Sequence, residues 1–576
     1  MNYKDEYLKW MNSPVVDEDT KAELKAIEND EDQLKLRFSG MMSFGTAGLR
    51  EVMRAGLNGM NIYTVRYATQ GLADLINSCG EDVGGGVTIS YDSRHNSCEY
   101  ARQSAAVLAA NGIHVNIFDE LRPTPELSFA LRHTESIAGI NITASHNTKE
   151  YNGYKVYWSD GAQLPPEHAA QVSASMERND IFDDVKTMDF EEGVEKGLIT
   201  LIGSEIDEKY LEKVMEQSVG SRYVEQAAED FTIIYTPFHG TGYKLVPEVL
   251  KRLGMKHVLT VPEQMVIDGD FPTVKSPNPE YIEGFAKAIE MARENDVDLI
   301  IGTDPDGDRC GVVVRNGDDY ETLTGNQIGV LLLDYLITAR REQGILAPNS
   351  AAVKSIVSTT MANAICKANG IKLFETLTGF KYIGEKIKEF LETGQYTFLF
   401  GFEESNGYLA GTYARDKDAV VASMLIAEMG CMYRMKGISL YQGIQALYEK
   451  YGFFKEGVTS ASFSGLEAKA KMNSIMEGLR NDPPEKLGLK VERIRDYSTG
   501  KILNMKDGST GETGLPESNV LFYDLEGGCS LIIRPSGTEP KIKLYVMTRG
   551  QSEKEAQELY DLVKAAGMEK LGTGQK

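Results

Sequence analysis

The chain has 576 residues, 42% hydrophobic and 25% charged, with 85 acidic against 61 basic side chains and a formal net charge of −24. At roughly 100–200 residues per domain this length exceeds a single hydrophobic core several times over, and the ordinary composition excludes disordered, collagen-like and disulfide-scaffold chains. The acidity argues against nucleic acid or an anionic membrane as partner, because both attract basic surfaces; an anionic small molecule would need a local concentration of Lys and Arg.

Residues 1–10 are charged and lack an apolar h-region, so no secretory signal is expected. A coarse alternation of strand and helix follows. A strand at 87–90 leads into Tyr91-Asp92-Ser93-Arg94 and a helix over 97–111, with the next strand at 113–118. An apolar run at 137–142 ends in Thr143-Ala144-Ser145-His146-Asn147, and a glycine-containing turn, Tyr151-Asn152-Gly153-Tyr154-Lys155, comes after it. Strands return at 231–235, 299–303, 352–357 and 397–400. Strands alternating with helices imply parallel or mixed sheets covered on both faces. The apolar run 328–337 is interrupted by Asp334 and falls short of the roughly 20 residues that cross a bilayer. The last part differs: a helix over 465–480, strands at 490–497, 520–525, 529–533 and 542–548, and a final helix over 553–566 read as an α+β module. The expected fold is therefore α/β, with three similar mixed or parallel-sheet units (1–205, 206–320 and 321–450) and a C-terminal α+β domain (451–576). Six cysteines without CxxC or zinc-like spacing read as reduced packing residues, which fits the cytoplasm.

Four loops carry chemistry. In Thr143-Ala144-Ser145-His146-Asn147, a serine at a strand end beside a histidine, with Lys155 ten residues on, has the make-up of an activated nucleophile; a strand-to-turn Ser/Asn cap fits the segment equally well. A hydrolase triad is disfavoured by the absence of a G-x-S-x-G elbow. In Asp304-Pro305-Asp306-Gly307-Asp308-Arg309, three carboxylates at alternate positions crowd like charges that a cation would neutralise, and oxygen-only ligands select a hard ion such as Mg²⁺. An EF-hand requires Gly and Glu where Arg309 and Arg315 stand, which leaves a solvated acidic turn as the alternative. Gly401-Phe402-Glu403-Glu404-Ser405-Asn406-Gly407 offers a carboxylate and a hydroxyl suited to sugar hydroxyls. Arg534-Pro535-Ser536-Gly537-Thr538-Glu539-Pro540-Lys541 offers a cation, two hydroxyls and backbone N–H groups suited to a phosphate dianion; a plain Pro/Gly turn is the alternative. Arg50, Lys381 (in Thr378-Gly379-Phe380-Lys381) and Lys417 (in Arg415-Asp416-Lys417-Asp418) add cations to other loops, consistent with an anionic substrate.

Taken in order, these loops resemble the α-D-phosphohexomutases, the phosphoglucomutase and phosphomannomutase superfamily, over about residues 44–548. The T-A-S-H-N and D-P-D-G-D-R motifs are the specific ones, and the length and G-F-E-E-S-N-G-Y form are most like the longer bacterial phosphoglucomutases. The resemblance implies four domains around a central cleft. It implies that Ser145 carries the phosphoryl group, and that Asp304, Asp306 and Asp308 bind one Mg²⁺ together with a Ser145 phosphate oxygen. Arg50, Lys155 and Arg309 would surround the transferring group. Glu403 and Ser405 would hold sugar hydroxyls, Thr378, Gly379, Lys381 and Lys417 would line the substrate cleft, and Arg534, Ser536, Gly537 and Thr538 would grip the non-reacting phosphate. The implied activity interconverts glucose 1-phosphate and glucose 6-phosphate, with glucose 1,6-bisphosphate as intermediate and activator. A phosphopentomutase or phosphomannomutase is the alternative, and no protein, nucleic-acid or membrane partner is implied. Some members carry a histidine where this chain has Gly407, which leaves His146 and Lys155 as candidates for the general acid/base.

Overall fold

The structure is a computed structural model that describes residues 2–45, 48–80, 84–463, 467–536 and 540–572. Three short helices, Tyr3–Asn12, Glu18–Ala26 and Glu31–Phe38, precede the first sheet. They were not expected from the sequence, where residues 1–10 read only as a charged stretch. Trp10 anchors them, its ring centroid 5.3 Å from those of both Tyr63 and Phe182.

The first sheet holds β1 (Leu49–Val52), β2 (Val87–Tyr91), β3 (Val115–Phe118), β4 (Ala138–Ile142), β5 (Tyr151–Trp158) and β6 (Ile199–Ile202) in the order β1-β5-β4-β2-β3-β6. Strands β2, β3 and β4 are buried along their whole length, their polar residues Thr88, Ser90, Asn116 and Asn141 included, as expected of central strands covered on both faces. They pair in parallel around β2, and β6 joins β3 in parallel, whereas β5 runs antiparallel to both β4 and β1. The expected turn at 151–155 is therefore the first half of a strand. Gly153 misleads there: a Cβ at that position would lie 2.4 Å from the Thr143 carbonyl oxygen and 2.9 Å from that of Leu49. The glycine serves the close approach of neighbouring backbones, not a reversal.

The second sheet repeats the plan with β7 (Thr232–Thr236), β8 (His257–Thr260), β9 (Leu299–Thr303), β10 (Cys310–Asn316) and β11 (Asp319–Leu323), ordered β11-β10-β9-β7-β8. Here β7, β8 and β9 are parallel and β10 and β11 return antiparallel. The third has β12 (Ser350–Ser355), β13 (Lys372–Thr376), β14 (Thr397–Glu403) and β15 (Gly407–Leu409) in the order β13-β12-β14-β15. Strand β14 runs three residues beyond the expected end, so Gly401, Phe402 and Glu403 lie in it and not in a loop.

The C-terminal sheet is antiparallel: β16 (Phe453–Ser462), β17 (Lys486–Leu487), β18 (Leu489–Asp496), β19 (Lys501–Asn504), β20 (Thr510–Glu512), β21 (Leu521–Leu525), β22 (Cys529–Pro535) and β23 (Lys541–Gly550), ordered β16-β23-β22-β21-β18-β19-β20 with β17 on β18. Alternate residues Leu531, Ile533, Leu544 and Val546 join Val563 of the helix Glu553–Lys570 in one core. Phe522, Ile532, Tyr545 and Met547, on the opposite face, pack with Ile356, Val357 and Leu377. The strands β16, β19 and β20 lie outside the runs expected from sequence. Two compact units emerge, one of Met1–Ile328, Ile383–Gly401 and Ser405–Leu440, the other of Gly329–Tyr382, Phe402–Glu404 and Tyr441–Lys576.

Candidate active site

In the first unit, two loops of the same construction meet. Each connects a buried parallel strand to an antiparallel return strand: β4 to β5 carries Ser145, and β9 to β10 carries Asp304, Asp306 and Asp308. Ser145 Oγ donates to Asp304 Oδ2 at 2.8 Å, although 159 residues separate them. Asp304 Oδ1 accepts from the backbone N–H groups of Asp308 (3.1 Å) and Arg309 (2.9 Å), which curls the loop around its first carboxylate. Neighbouring segments hold the loop's backbone: Thr124 N donates to Asp306 O (2.8 Å), Thr241 N to Pro305 O (2.9 Å) and Ala419 N to Gly307 O (3.2 Å).

The three carboxylates are buried, and each offers a ligand oxygen within 4.8 Å of the others. Lysines bound to one side of the triad leave the other side available. Lys155 Nζ lies 2.7 Å from Asp306 Oδ2 and 3.5 Å from Asp308 Oδ2, and Lys417 Nζ lies 3.1 Å from Asp308 Oδ2. Thr124 Oγ1 also donates to Asp306 Oδ2, at 3.0 Å. Asp306 Oδ1 and Asp308 Oδ1 are buried with no hydrogen-bond partner among the described residues. Buried unsatisfied anionic oxygens are costly, and a hard divalent cation shared with Asp304 is the partner this donor set fits. Burial, and then the charges of Asp306 and Asp308, push the Asp304 carboxyl well above its ordinary range. Burial pushes Asp306 the same way, but Lys155 above all outweighs it and holds that carboxyl well below the usual range.

Among the other expected residues, His146 Nδ1 lies 3.2 Å from Ser145 Oγ. Desolvation in the crowded loop, followed by the Arg309 and Arg50 guanidiniums, lowers its pKa well below the ordinary imidazole value, so the ring is neutral at neutral pH. Arg50, opposite Gly153 in the β1–β5 register, donates to Asn147 Oδ1 at 3.3 Å. Arg309 pairs with Glu280 at 2.8 Å. Lys417 is buried; besides Asp308 it binds Asp416 Oδ1 at 3.0 Å, and Tyr157 OH donates to Asp416 Oδ2 at 2.9 Å. Ser405 sits beside Asn406, whose carbonyl accepts from Cys310 N at 3.0 Å and thereby ties this segment to the strand that follows the aspartate loop.

In the second unit, Glu403 is buried at the end of β14, and its Oε1 accepts from Gly379 N at 2.7 Å, joining two expected sugar-binding segments. The buried Thr378 Oγ1 has no hydrogen-bond partner among the described residues. The Lys381 ammonium lies 4.7 Å from the Tyr382 ring centre. Arg534, next to the last residue of β22, pairs with Lys543, and Ser536 N donates to Lys541 O at 2.8 Å. Burial, then Glu404, push the Tyr545 hydroxyl up to about 12, with Arg534 acting in the opposite sense and Glu403 adding to the rise. Gly537 and Thr538 lie outside the described residues.

The sequence did not single out Thr124 or Asp416, which act on residues far away in the chain. Pro123-Thr124-Pro125, a helix-start pattern, and the Asp416-Lys417 pair were the available signals.

Four family profiles match the chain in order: "Phosphoglucomutase/phosphomannomutase, alpha/beta/alpha domain I" at residues 41–181, domain II at 208–317, domain III at 324–451 and the C-terminal domain at 484–566. The chain belongs to the phosphoglucomutase/phosphomannomutase family, with that family's three mixed α/β units and C-terminal antiparallel domain. It is 37% identical to a phosphoglucomutase of Staphylococcus saprophyticus over 89% of this chain and 92% of the relative, and 39% identical to one of Staphylococcus epidermidis over 88% and 90%. The fold resembles the open-form crystal structure of parafusin, a phosphoglucomutase from Paramecium, with a TM-score of 0.69 at 18% identity over 93% of this chain and 95% of that one. No helix among the described residues is long and apolar enough to cross a membrane.

Proposed function

We propose that this enzyme interconverts glucose 1-phosphate and glucose 6-phosphate through a phosphorylated Ser145, with glucose 1,6-bisphosphate as intermediate and activator. The observation that carries the reading is the contact of Ser145 Oγ with Asp304 beside the half-satisfied carboxylate triad. One Mg²⁺ held by Asp304, Asp306 and Asp308 would, when bound, neutralise charge on the phosphoryl oxygens.

The chain's own residues supply the rest. Phospho-Ser145 gives its phosphoryl group to the free hydroxyl of the sugar monophosphate: the Oγ–P bond breaks, the new O–P bond forms, and the hydroxyl proton ends on Ser145 Oγ. In the second half, Ser145 Oγ attacks the other phosphate of the bisphosphate, the sugar O–P bond breaks, and the serine proton ends on the sugar oxygen; His146, whose Nδ1 is 3.2 Å from Oγ, and Lys155 are the candidates for carrying it. Lys155, Arg50 and Arg309 supply positive charge around the transferred group. Lys155 does so as an ammonium: burial lowers its pKa, but Asp306 and Asp308 outweigh burial and raise it. Glu403 and Ser405 are assigned to sugar hydroxyls, Thr378, Gly379, Lys381 and Lys417 to the surroundings of the substrate, and Arg534, Ser536, Gly537 and Thr538 to the phosphate that is not moving. Domain limits of 1–205, 206–320, 321–450 and 451–576 place one chemical loop in each domain. A cytoplasmic location fits six cysteines that are all free.

The test is a coupled assay on glucose 1-phosphate, mannose 1-phosphate and ribose 1-phosphate, with intact-mass analysis. We expect glucose 1-phosphate to be the best substrate, and one added phosphate on part of the protein that disappears in Ser145→Ala along with turnover. Ser145→Ala retaining more than a trace of activity would exclude the phosphoserine route.

A further inference from the structure

Ser145 has φ of +52°, in the left-handed region that side chains other than glycine rarely adopt. Such a conformation persists only where the surroundings over-determine it, and here they do. Thr143 Oγ1 accepts from Ser145 N at 2.8 Å and donates to Asp92 Oδ2 at 2.6 Å. Asp92 Oδ1 accepts from Ser97 Oγ at 2.7 Å and from Arg94 N at 3.0 Å. The Arg94 guanidinium spans the nucleophile loop, donating to the carbonyl oxygens of Ser145 (2.5 Å), Asn147 (2.6 Å), Thr148 (2.9 Å) and Tyr151 (3.0 Å). Its charge is matched by Asp92 at 3.2 Å, both side chains being fully inaccessible. The Phe271 ring lies 5.1 Å from the guanidinium carbon.

From this arrangement we infer that Asp92, Arg94 and Thr143 form a bracket whose task is to hold Ser145 in its left-handed conformation with Oγ aimed at Asp304, which makes Thr143 and Arg94 positioning residues for phosphoryl transfer. The inference rests on Ser145 as the phosphoryl carrier. Relaxation of Ser145 to negative φ would swing its Cβ–Oγ bond away from the aspartate loop. Thr143 fixes the N–H side of Ser145 and Arg94 fixes its carbonyl, so the two together pin both peptide planes that flank the nucleophile. The flat five-donor fork of arginine can reach four carbonyls at once, whereas a lysine ammonium has only three donors on one atom.

Thr143→Val keeps the shape and removes the hydroxyl; Thr143→Ser keeps the hydroxyl. Misplacement of a reacting group by about 1 Å can cost on the order of 10²-fold. Thr143→Val should therefore lower kcat by at least about 10-fold, with KM for glucose 1-phosphate within about twofold of wild type. Its Ser145 should also be phosphorylated more slowly by glucose 1,6-bisphosphate, followed by intact mass. Thr143→Ser should restore most of kcat, and Arg94→Lys should behave like Thr143→Val. A purely packing role would change the melting temperature and the active fraction without this split between kcat and KM or the rescue by serine. Wild-type kcat in folded Thr143→Val, with Ser145→Ala inactive, overturns the bracket alone. Turnover by Ser145→Ala overturns the phosphoserine reading and the bracket with it. Should Arg94→Lys fail to fold, the two Thr143 variants decide.

Discussion

A Cβ placed on Gly407 would lie 2.1 Å from Cδ and 2.7 Å from Cγ of Lys417. The lysine stem fills the volume a side chain at 407 would need, so the histidine that some members of the family carry there has no room, and the Lys417 ammonium instead reaches Asp308. Gly407→Ala should therefore destabilise by about 1–3 kcal/mol, the usual cost of overpacking, and should displace Lys417 from Asp308. In a Lys417→Ala background the added methyl finds space and its cost should shrink, because residues in contact do not act additively. Equal costs in both backgrounds, measured by urea denaturation, would show that the lysine is not what excludes a side chain. Asp306→Asn removes one charge from the triad and loosens its Lys155 partner. Loss of a supporting interaction around a metal ligand typically costs 10–100-fold in affinity, so loss of the ligand charge itself should weaken Mg²⁺ binding by at least about that much in calorimetry without substrate. Unaltered Mg²⁺ affinity would remove Asp306 from the ligand set.

The chemical loops recur at one place in each α/β layer, between neighbouring strands: β4 and β5, β9 and β10, β14 and β15. This is why the T-A-S-H-N and D-P-D-G-D-R loops were legible in the sequence: each is a dense polar run that directly follows a buried strand. What was not legible depends on register between distant segments. Nothing near Arg94 announces that its guanidinium reaches carbonyls 51–57 residues away, or that Thr124 meets Asp306 across 182 residues. Tyr151–Trp158 was hidden for the opposite reason, because a glycine placed for close packing imitates a turn. Pairs between elements also make testable stability claims. Glu375 at the end of β13 binds Lys354 of β12 at 3.1 Å and Arg495 of β18 at 3.1 Å. Burial raises its pKa, but Lys354 and Arg495 outweigh burial and hold it at about 2 against an ordinary 4.5. A depressed folded pKa means that the contribution is complete above about 4.5 and fades as pH falls towards about 2. Wild type should exceed Glu375→Gln in melting temperature at neutral pH, and the gap should narrow through that window. A gap that stays constant from pH 6 to pH 3 would contradict the assignment.

At the scale of the whole molecule, the reaction imposes a symmetry requirement on an asymmetric chain. On the proposed mechanism a single nucleophile, Ser145, receives both ends of the sugar in turn, which requires the substrate to bind in two opposite orientations. Groups that lie near the axis relating those orientations can be read by one fixed side chain in both, and the C3 and C4 hydroxyls qualify. The C2 hydroxyl does not, because reversal carries it to a different part of its surroundings. Glu403 suits such a fixed reader: it is buried, and the Gly379 N–H orients its Oε1 at 2.7 Å. Glucose and mannose differ only at C2, so discrimination between them should be modest. Galactose inverts C4 and presents no hydroxyl where the carboxylate expects one. A site built to hydrogen-bond a hydroxyl rejects the wrong analogue by up to roughly 10⁴-fold. The expected order of kcat/KM is glucose 1-phosphate first, mannose 1-phosphate within a few decades, and galactose 1-phosphate far behind. Glu403→Gln should lower activity on glucose 1-phosphate while compressing the galactose penalty, since a neutral amide is a weaker and less exacting acceptor than a carboxylate. Galactose 1-phosphate turned over as well as glucose 1-phosphate by the wild-type enzyme would show that Glu403 does not read the sugar. An unchanged glucose-to-galactose ratio in Glu403→Gln would move that role to another residue.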